Sequence, residues 1–155
     1  MENYSPKAAL SVIRIIHLAI MGVPVIFSTV VIFLLSSGQI VPEEEPGFLI
    51  YVPVGLLLIA FPVSSTLYRN NLKNNLKPGS PLQAKLSVFQ AAHLVRMALF
   101  EAAALSAAVV CMLTGQLLVL AVVIITILVS LKYLPSVYLL ETEIELTPEE
   151  KSLLQ

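Results

Sequence analysis

The sequence predicts an all-α integral membrane protein, a four-helix bundle built from two helical hairpins that repeat in parallel. Composition is the first reason, since 57% of the 155 residues are hydrophobic and 12% are charged, far more apolar than a soluble domain. Length is the second, because four apolar runs match the 20 or so residues that cross a bilayer. These runs cover approximately residues 10–35, 48–68, 93–113 and 117–138. Together they predict one membrane domain, residues 1–155.

The two halves of the chain match each other, which is the third reason. Short motifs recur at a nearly constant offset of about 76 residues: Ser5-Pro6 with Ser80-Pro81, Leu10-Ser11-Val12 with Leu86-Ser87-Val88, His17-Leu18 with His93-Leu94, and Met21 with Met97. Both halves would start on the same side of the membrane. We therefore expect repeat 1 (about 5–68) and repeat 2 (about 80–138) to be related by a pseudo-two-fold axis along the membrane normal.

The positions of Lys and Arg predict the orientation in the membrane. Basic residues flank the start of the first run and fill the central connection, whereas connections 36–47 and 114–116 contain neither Lys nor Arg. Basic loops stay in the cytoplasm. We expect an inner-membrane protein with both termini, the loop 69–79 and the tail 139–155 in the cytoplasm. A net charge of -1 gives no reason to expect nucleic acid as a partner.

Proline-containing motifs predict where helices begin and bend. Ser5 and Pro6 match the N-cap and the first residue of a helix. The segments 80–83 (SPLQ) and 147–150 (TPEE) predict capping boxes for the third helix and for a short terminal helix. Prolines inside the second and fourth runs predict kinks, at Pro53, Pro62 and Pro135.

Apart from Arg14 near the start of the first run, charged residues inside apolar runs occur only in the second half of the chain, at Arg96, Glu101 and Lys132. Counted from Leu113 at 1.5 Å per residue, Glu101 lies roughly 18 Å into a hydrocarbon core about 30 Å thick. A carboxylate at that depth needs a partner or a function. One hypothesis is a buried Glu101–Lys132 ion pair, with Arg96 reaching toward the cytoplasmic interface. The other is that Glu101 relays protons or ions.

A repeated H-L-x-x-M motif places His17 and Met21, and likewise His93 and Met97, four residues apart on one helical face. The duplication would bring both pairs to one axis. Two imidazoles and two thioethers suit Cu(I), whereas two axial histidines with arginines near the propionates suit a haem. Histidine and methionine that simply fill the bundle are the third possibility.

Small residues recur every fourth position along the third run: Ala98, Ala102 and Ser106, Ala103 and Ala107, Ala104 and Ala108. Such rows let another helix approach closely. They predict that the third helix is the central packing element, either within the chain or against a membrane-protein partner or a second copy.

The segment from Arg96 to Leu105 (RMALFEAAAL), with the Thr114-Gly115 turn and the acidic tail 141–150, resembles a family of small four-span bacterial membrane proteins of unknown function. That resemblance implies no known activity. The Glu101–Leu105 stretch (EAAAL) also looks like the carboxylate helix of rotary ATPase proteolipids. This second resemblance implies that Glu101 carries a proton or a sodium ion.

These observations favour an accessory or assembly component of a membrane complex, held in the lipid bilayer and contacting a membrane-protein partner. A small proton- or ion-coupled conductor using Glu101 is the alternative, and a haem or copper site at His17 and His93 is the third. No Ser-His-Asp, H-E-x-x-H, P-loop or G-x-G-x-x-G pattern occurs. We therefore expect no enzymatic activity and no resident cofactor.

Overall fold

The computed structural model describes residues 5–42 and 47–154, and this part of the chain is helical with no strand. Four helices form the body: α1 (Pro6–Ser36), α2 (Val52–Asn75), α3 (Leu82–Thr114) and α4 (Ala121–Lys132). Two short helices form the tail, α5 (Val137–Glu143) and α6 (Pro148–Ser152). Single 3-10 turns precede α2 and α4, at Gly47–Tyr51 and Leu117–Leu120. The all-α prediction is confirmed for the described residues.

Three segments are long and apolar enough to cross a membrane: Pro6–Ser36, Gly47–Asn75 and Leu82–Thr114. A fourth span exists only if Leu117–Lys132 and Val137–Glu143 count as one broken helix, because the two pieces meet at 80°. The structure therefore has three or four apolar helices that could span a membrane, as is compatible with a membrane protein. The count of four remains a prediction.

The break between α4 and α5 replaces the continuous fourth helix expected to reach residue 138. Helix α4 ends at Lys132, and Pro135 lies in the connection instead of kinking a helix. Proline disfavours the helical conformation of the residue before it, which explains why the chain leaves the helix before Pro135. Arg14 then donates from Nε to the Pro135 carbonyl oxygen at 2.7 Å, and the Ser136 side chain caps α5. Side-chain hydrogen bonds thus pair backbone polar groups that the bend leaves without helical partners.

Two of the three predicted helix starts are confirmed. The Ser5 side chain accepts from the Ala8 N–H, and Thr147 forms a complete capping box with Glu150. The predicted box at residues 80–83 is wrong. Pro81 itself occupies the N-cap position of α3, so the Ser80 hydroxyl lies one residue too early to cap it. Pro53 likewise starts α2 and does not kink it.

Helix α3 is the central element, as its small residues predict. It packs against α1, α2 and α4, whereas α1 and α2 scarcely touch each other. In α3, half of the residues in the apolar 18-residue segment are buried, against 17% for the matching segment of α1 and 22% for the one that includes α2. The first half of the chain therefore does not form the packed hairpin expected of repeat 1, because both of its helices pack on α3. The parallel repeat remains a prediction.

The tail folds back against one end of the bundle, here called the tail end. Leu140, Ile144 and Leu154 are buried in a cluster with Tyr68 and Phe89. Polar contacts complete the docking: Lys85 Nζ, on α3, donates to the Glu145 carbonyl oxygen at 2.7 Å and lies 2.8 Å from the Glu150 carboxylate. The tail is therefore part of the folded unit.

The Lys85–Glu150 pair predicts a pH-dependent contribution to stability. Burial raises the pKa of Glu150, but hydrogen bonds from Lys85 and Thr147 outweigh it, so the pKa lies below its usual value. A lowered pKa contributes stability above the unfolded-state value, about 4.3, which is lost as the pH falls through the folded-state value. We expect Glu150→Gln to lower the free energy of unfolding by roughly 1 kcal/mol at pH 7.

Thermal unfolding in detergent at pH 7 and near pH 3 measures this effect. The gap in melting temperature between Glu150→Gln and the unaltered protein should close at the acidic pH. Glu149→Gln, an exposed neighbour in α6, is the control and should leave the melting temperature unchanged. A gap that stays constant with pH would mean that the Glu150 carboxylate does not carry the contact.

Candidate functional site

Buried polar side chains from α1, α2 and α3 gather toward the tail end of the bundle. Among the described residues, six buried side-chain nitrogen or oxygen atoms lack a hydrogen-bond partner, and five of them belong to His17, Tyr68, His93 and Arg96. Unpaired polar atoms are costly in a low-dielectric interior. Their concentration in one region identifies the candidate site.

The structure brings the two histidines of the repeated motif together. His17 on α1 and His93 on α3 are 0% and 1% exposed, and His17 Nδ1 lies 2.8 Å from His93 Nε2. The rings meet edge to edge, with centroids 5.0 Å apart and planes 27° from parallel, and the Phe89 ring lies nearly parallel to His93 at 5.6 Å. The outer ring nitrogens, His17 Nε2 and His93 Nδ1, are the ones without partners. The two imidazoles thus form a hydrogen-bonded pair inside the bundle.

Met21 and Met97 lie one helical turn beyond the histidines and line a small cavity. The cavity has a volume of about 10 Å³, close to what a single water molecule requires. Its other walls come from α1, α3 and α4: Ile20, Pro24, Glu101, Thr126, Ile127 and Ser130. The histidine pair and the cavity are therefore consecutive layers between the same helices.

Copper or haem at His17 and His93 would require the two rings to separate. Metal–nitrogen bonds are about 2 Å long, so two nitrogens that share one ion lie well over 3 Å apart, whereas these lie 2.8 Å apart. The observed geometry is that of a shared proton.

The predicted ion pair between Glu101 and Lys132 does not form in the structure. Glu101 is half-buried and has no hydrogen bond or ion pair among the described residues. Lys132 is exposed at the last residue of α4. Ser130 lines the cavity that Glu101 also lines, and Lys132 lies roughly 200° further around the helix at 100° per residue. Glu101 and Lys132 lie at similar depths along their helices, but they do not meet because Lys132 is turned away from the side of α4 that faces Glu101.

Arg96 does not reach an interface, contrary to the sequence-based expectation. It is 5% exposed, and its guanidinium carbon lies 3.4 Å from the centre of the Tyr68 ring and 4.4 Å from that of Tyr133. Its position on the central helix leaves no path to the surface, and two aromatic faces offset part of the cost of burying the charge. Its Nε and Nη1 have no partner.

The small residues of α3 divide into two sets. Ala103, Ala104, Ala107 and Ala108 are fully buried within the chain. Ala98 and Ala102 are exposed and Ser106 is half-buried. Only the second row remains on the outer surface, next to Glu101 in sequence.

Sequence reasoning identified the histidines and Arg96 but missed the tyrosines that hold Arg96. Tyr68 and Tyr133 lie at the ends of apolar runs, where tyrosine ordinarily marks a membrane interface, so their position gave no hint of an inward role. A second buried arginine contact, from Arg14 to Pro135, was also missed.

Comparisons with protein-family models, with curated proteins and with solved structures find no match to this chain.

The Arg96 environment predicts that the Tyr68 ring, and not its hydroxyl, stabilises the fold. Tyr68→Leu should lower the free energy of unfolding by about 2–4 kcal/mol, through lost packing and a lost cation–π contact. Tyr68→Phe keeps the ring and removes a hydroxyl without a partner, so it should be nearly neutral. Denaturation in detergent compares the two variants. An equal loss in both would show that the hydroxyl is bonded.

Proposed function

We propose that this chain is an accessory or assembly component of an inner-membrane complex and that a partner helix docks on α3 beside Glu101. One observation carries this function: a carboxylate near mid-membrane is half-exposed on the side of α3 and unpaired among the described residues. A charged side chain at that depth costs about 2.5–3.5 kcal/mol on insertion scales. A partner that supplies a basic group or a hydrogen-bond donor would offset this cost.

The surface around Glu101 has the shape that such a partner needs. Ala98, Ala102 and Ser106 lie at intervals of four residues on the outward side of α3, where small side chains let two helix backbones approach closely. The larger exposed side chains on α1, α2 and α4 are apolar and suit lipid tails. The α3 surface therefore combines small size with an unpaired charge. We assign it to a transmembrane helix of another protein that carries Lys or Arg.

A photoreactive amino acid at position 102 tests this assignment in native membranes. We expect an adduct from Ala102 and a weaker one when Glu101→Gln is added, because the charge complementarity is then lost. Val63, exposed on α2, is the control position and should give no adduct. Absence of an adduct at both positions would contradict the assignment, and an adduct of twice the mass of the chain would show self-association instead.

The orientation that goes with this function has four spans and a cytoplasmic location for both termini, supported by the distribution of Lys and Arg. Thiol labelling in a Cys111→Ala background tests it, since Cys111 is the single cysteine. Asn74→Cys, in the last turn of α2, should react only from the cytoplasmic side. Val41→Cys, which is 86% exposed after α1, should react only from the outside. The opposite pattern would invert the topology.

A second function, proton or ion transfer by Glu101, is favoured by the cavity that its side chain lines. Thr126 and Ser130 contribute hydroxyl groups there, and the space admits one water molecule. A carboxyl beside a water, away from any basic group, can take up and release a proton. This function and partner docking are compatible, because a partner helix would cover the exposed side of the same carboxyl.

Both functions predict that Glu101 does not stabilise the chain by pairing with Lys132. Glu101→Gln and Lys132→Met should each change the free energy of unfolding by less than about 0.5 kcal/mol, since neither removes a contact present in the structure. A broken buried pair would cost about 3–5 kcal/mol. Thermal unfolding of the two single variants decides between these values, and a double variant that recovers a large loss would restore the ion-pair hypothesis.

A further inference from the structure

We propose that the His17–His93 pair transfers protons between the Arg96 region at the tail end and the cavity at Glu101. This inference rests on the second function above, proton transfer by Glu101, and supplies its route. It is carried by the pair's geometry: one short hydrogen bond joins the rings, and both outer nitrogens are buried without partners.

The hydrogen-bonding capacity of two neutral imidazoles defines what the pair can do. Each ring has one N–H donor and one acceptor nitrogen. If His93 Nε2–H donates to His17 Nδ1, then His93 Nδ1 is an acceptor and His17 Nε2–H is a donor. If the direction of the shared bond reverses, both outer nitrogens exchange roles. The pair therefore has two states of equal composition, which differ in the position of the shared proton and in which ring carries the outer proton.

A transfer through the pair is balanced at every atom. A proton that arrives from water bonds to His93 Nδ1. The proton between the rings moves from His93 Nε2 to His17 Nδ1, and His17 Nε2 releases its own proton to water or to the Glu101 carboxylate. Two N–H bonds form and two break, no electrons leave the rings, and the first state returns when a proton crosses the pair in the opposite direction. A single imidazole also transfers protons, but the pair covers the distance between α1 and α3.

The two ends of the pair face different surroundings. Arg96 lies near His93, and the backbone of Ser130, which lines the Glu101 cavity, lies near His17. The charged and titratable groups around the pair come from every neighbouring element: Arg14 on α1, Tyr68 on α2, Arg96 and Glu101 on α3, Tyr133 after α4, and Glu143 on α5. Within residues 5–42 and 47–154, no carboxylate forms an ion pair with either ring, so no anion in this part of the chain holds the proton there.

In this proposal protons enter from the tail end. Glu143 lines an open pocket of about 320 Å³ together with Lys73, Lys77 and Lys85. Glu143 also interacts electrostatically with Arg96 and Tyr68. The proposed route then runs from the tail end toward mid-membrane. It passes through water in this pocket, Glu143, the Arg96 region, the histidine pair and the Glu101 cavity. Beyond Glu101 the α3 side chains at 103, 104, 107 and 108 are buried alanines, so the proposed proton route ends at the Glu101 carboxyl.

The test follows the protonation of Glu101 after a rapid pH change, by infrared spectroscopy of the protein in nanodiscs. The Glu101 carboxyl band is the band absent from Glu101→Gln. We expect it to respond in the unaltered protein and to respond about a hundredfold more slowly in His93→Gln and His17→Gln. Glutamine preserves a hydrogen bond between α1 and α3 but does not pass a proton. Ser64→Ala, at a buried serine bonded to its own helix, is the control and should match the unaltered protein.

Each other outcome is decisive. An equal rate in the glutamine variants would overturn transfer through the histidines and leave Glu101 as a proton carrier served by another route. No pH response at Glu101 in the unaltered protein would overturn both.

A second measurement needs no variant and so does not depend on their folding. The chain contains only two histidines, so ¹⁵N-histidine labelling reports on this pair alone. We expect nitrogen shifts averaged between the two tautomers of each ring, with His17 and His93 exchanging at the same rate. A single fixed tautomer on each ring would overturn the inference, because the hydrogen bond would then be purely structural.

Discussion

The packing of α3 against every other long helix is the constraint on which the rest of the structure depends. Within a bilayer the hydrophobic effect does not drive helices together, so close approach of small residues and interhelical polar contacts must do so. Ala103, Ala104, Ala107 and Ala108 provide the approach in one half of α3, and His93, Arg96 and Lys85 provide polar contacts in the other. Because α3 is surrounded, anything polar on its inner side must be satisfied by a neighbour. The histidine pair and the Arg96–tyrosine contact are two solutions to that requirement.

The polar half of the bundle is only partly satisfied by protein groups among the described residues. A structural network in a low-dielectric interior gains most when every donor and acceptor is paired. Here the guanidinium of Arg96, the Tyr68 hydroxyl and both outer histidine nitrogens lack partners among the described residues. Cation–π contacts compensate the Arg96 charge but not its N–H groups. Groups left unpaired at such a cost are typical of sites that exchange protons or hold water.

The sequence predicted membrane class, helical content and the central role of α3, because these follow from apolar length and small-residue spacing. It also predicted that His17 and His93 would approach each other, since the repeated motif places them at equivalent depths. It failed for Glu101 and Lys132 because depth along a helix does not specify rotation about it, and two residues of difference turn a side chain by roughly 200°. The bend at Pro135 changed the fourth span for a similar reason: whether a proline kinks a helix or ends it depends on tertiary contacts such as the one from Arg14.

The docked tail links these features. In a straight fourth helix, the direction of the Tyr133 side chain would follow from the helical repeat alone. The residues after Tyr133 would then extend away from the bundle. The break after Lys132 instead lets Tyr133 contact Arg96 and brings Leu140 and Glu143 over the ends of α2 and α3. The Lys85–Glu150 contact then closes the far end of the tail. The bend, the Arg96 contact and the tail therefore stabilise one another, and the same arrangement places Glu143 on the wall of the open pocket beside Lys85. The tail residues Leu140, Ile144 and Leu154 pack with Tyr68 and Phe89, and those two rings contact Arg96 and His93. The docked tail therefore covers this end of the polar interior.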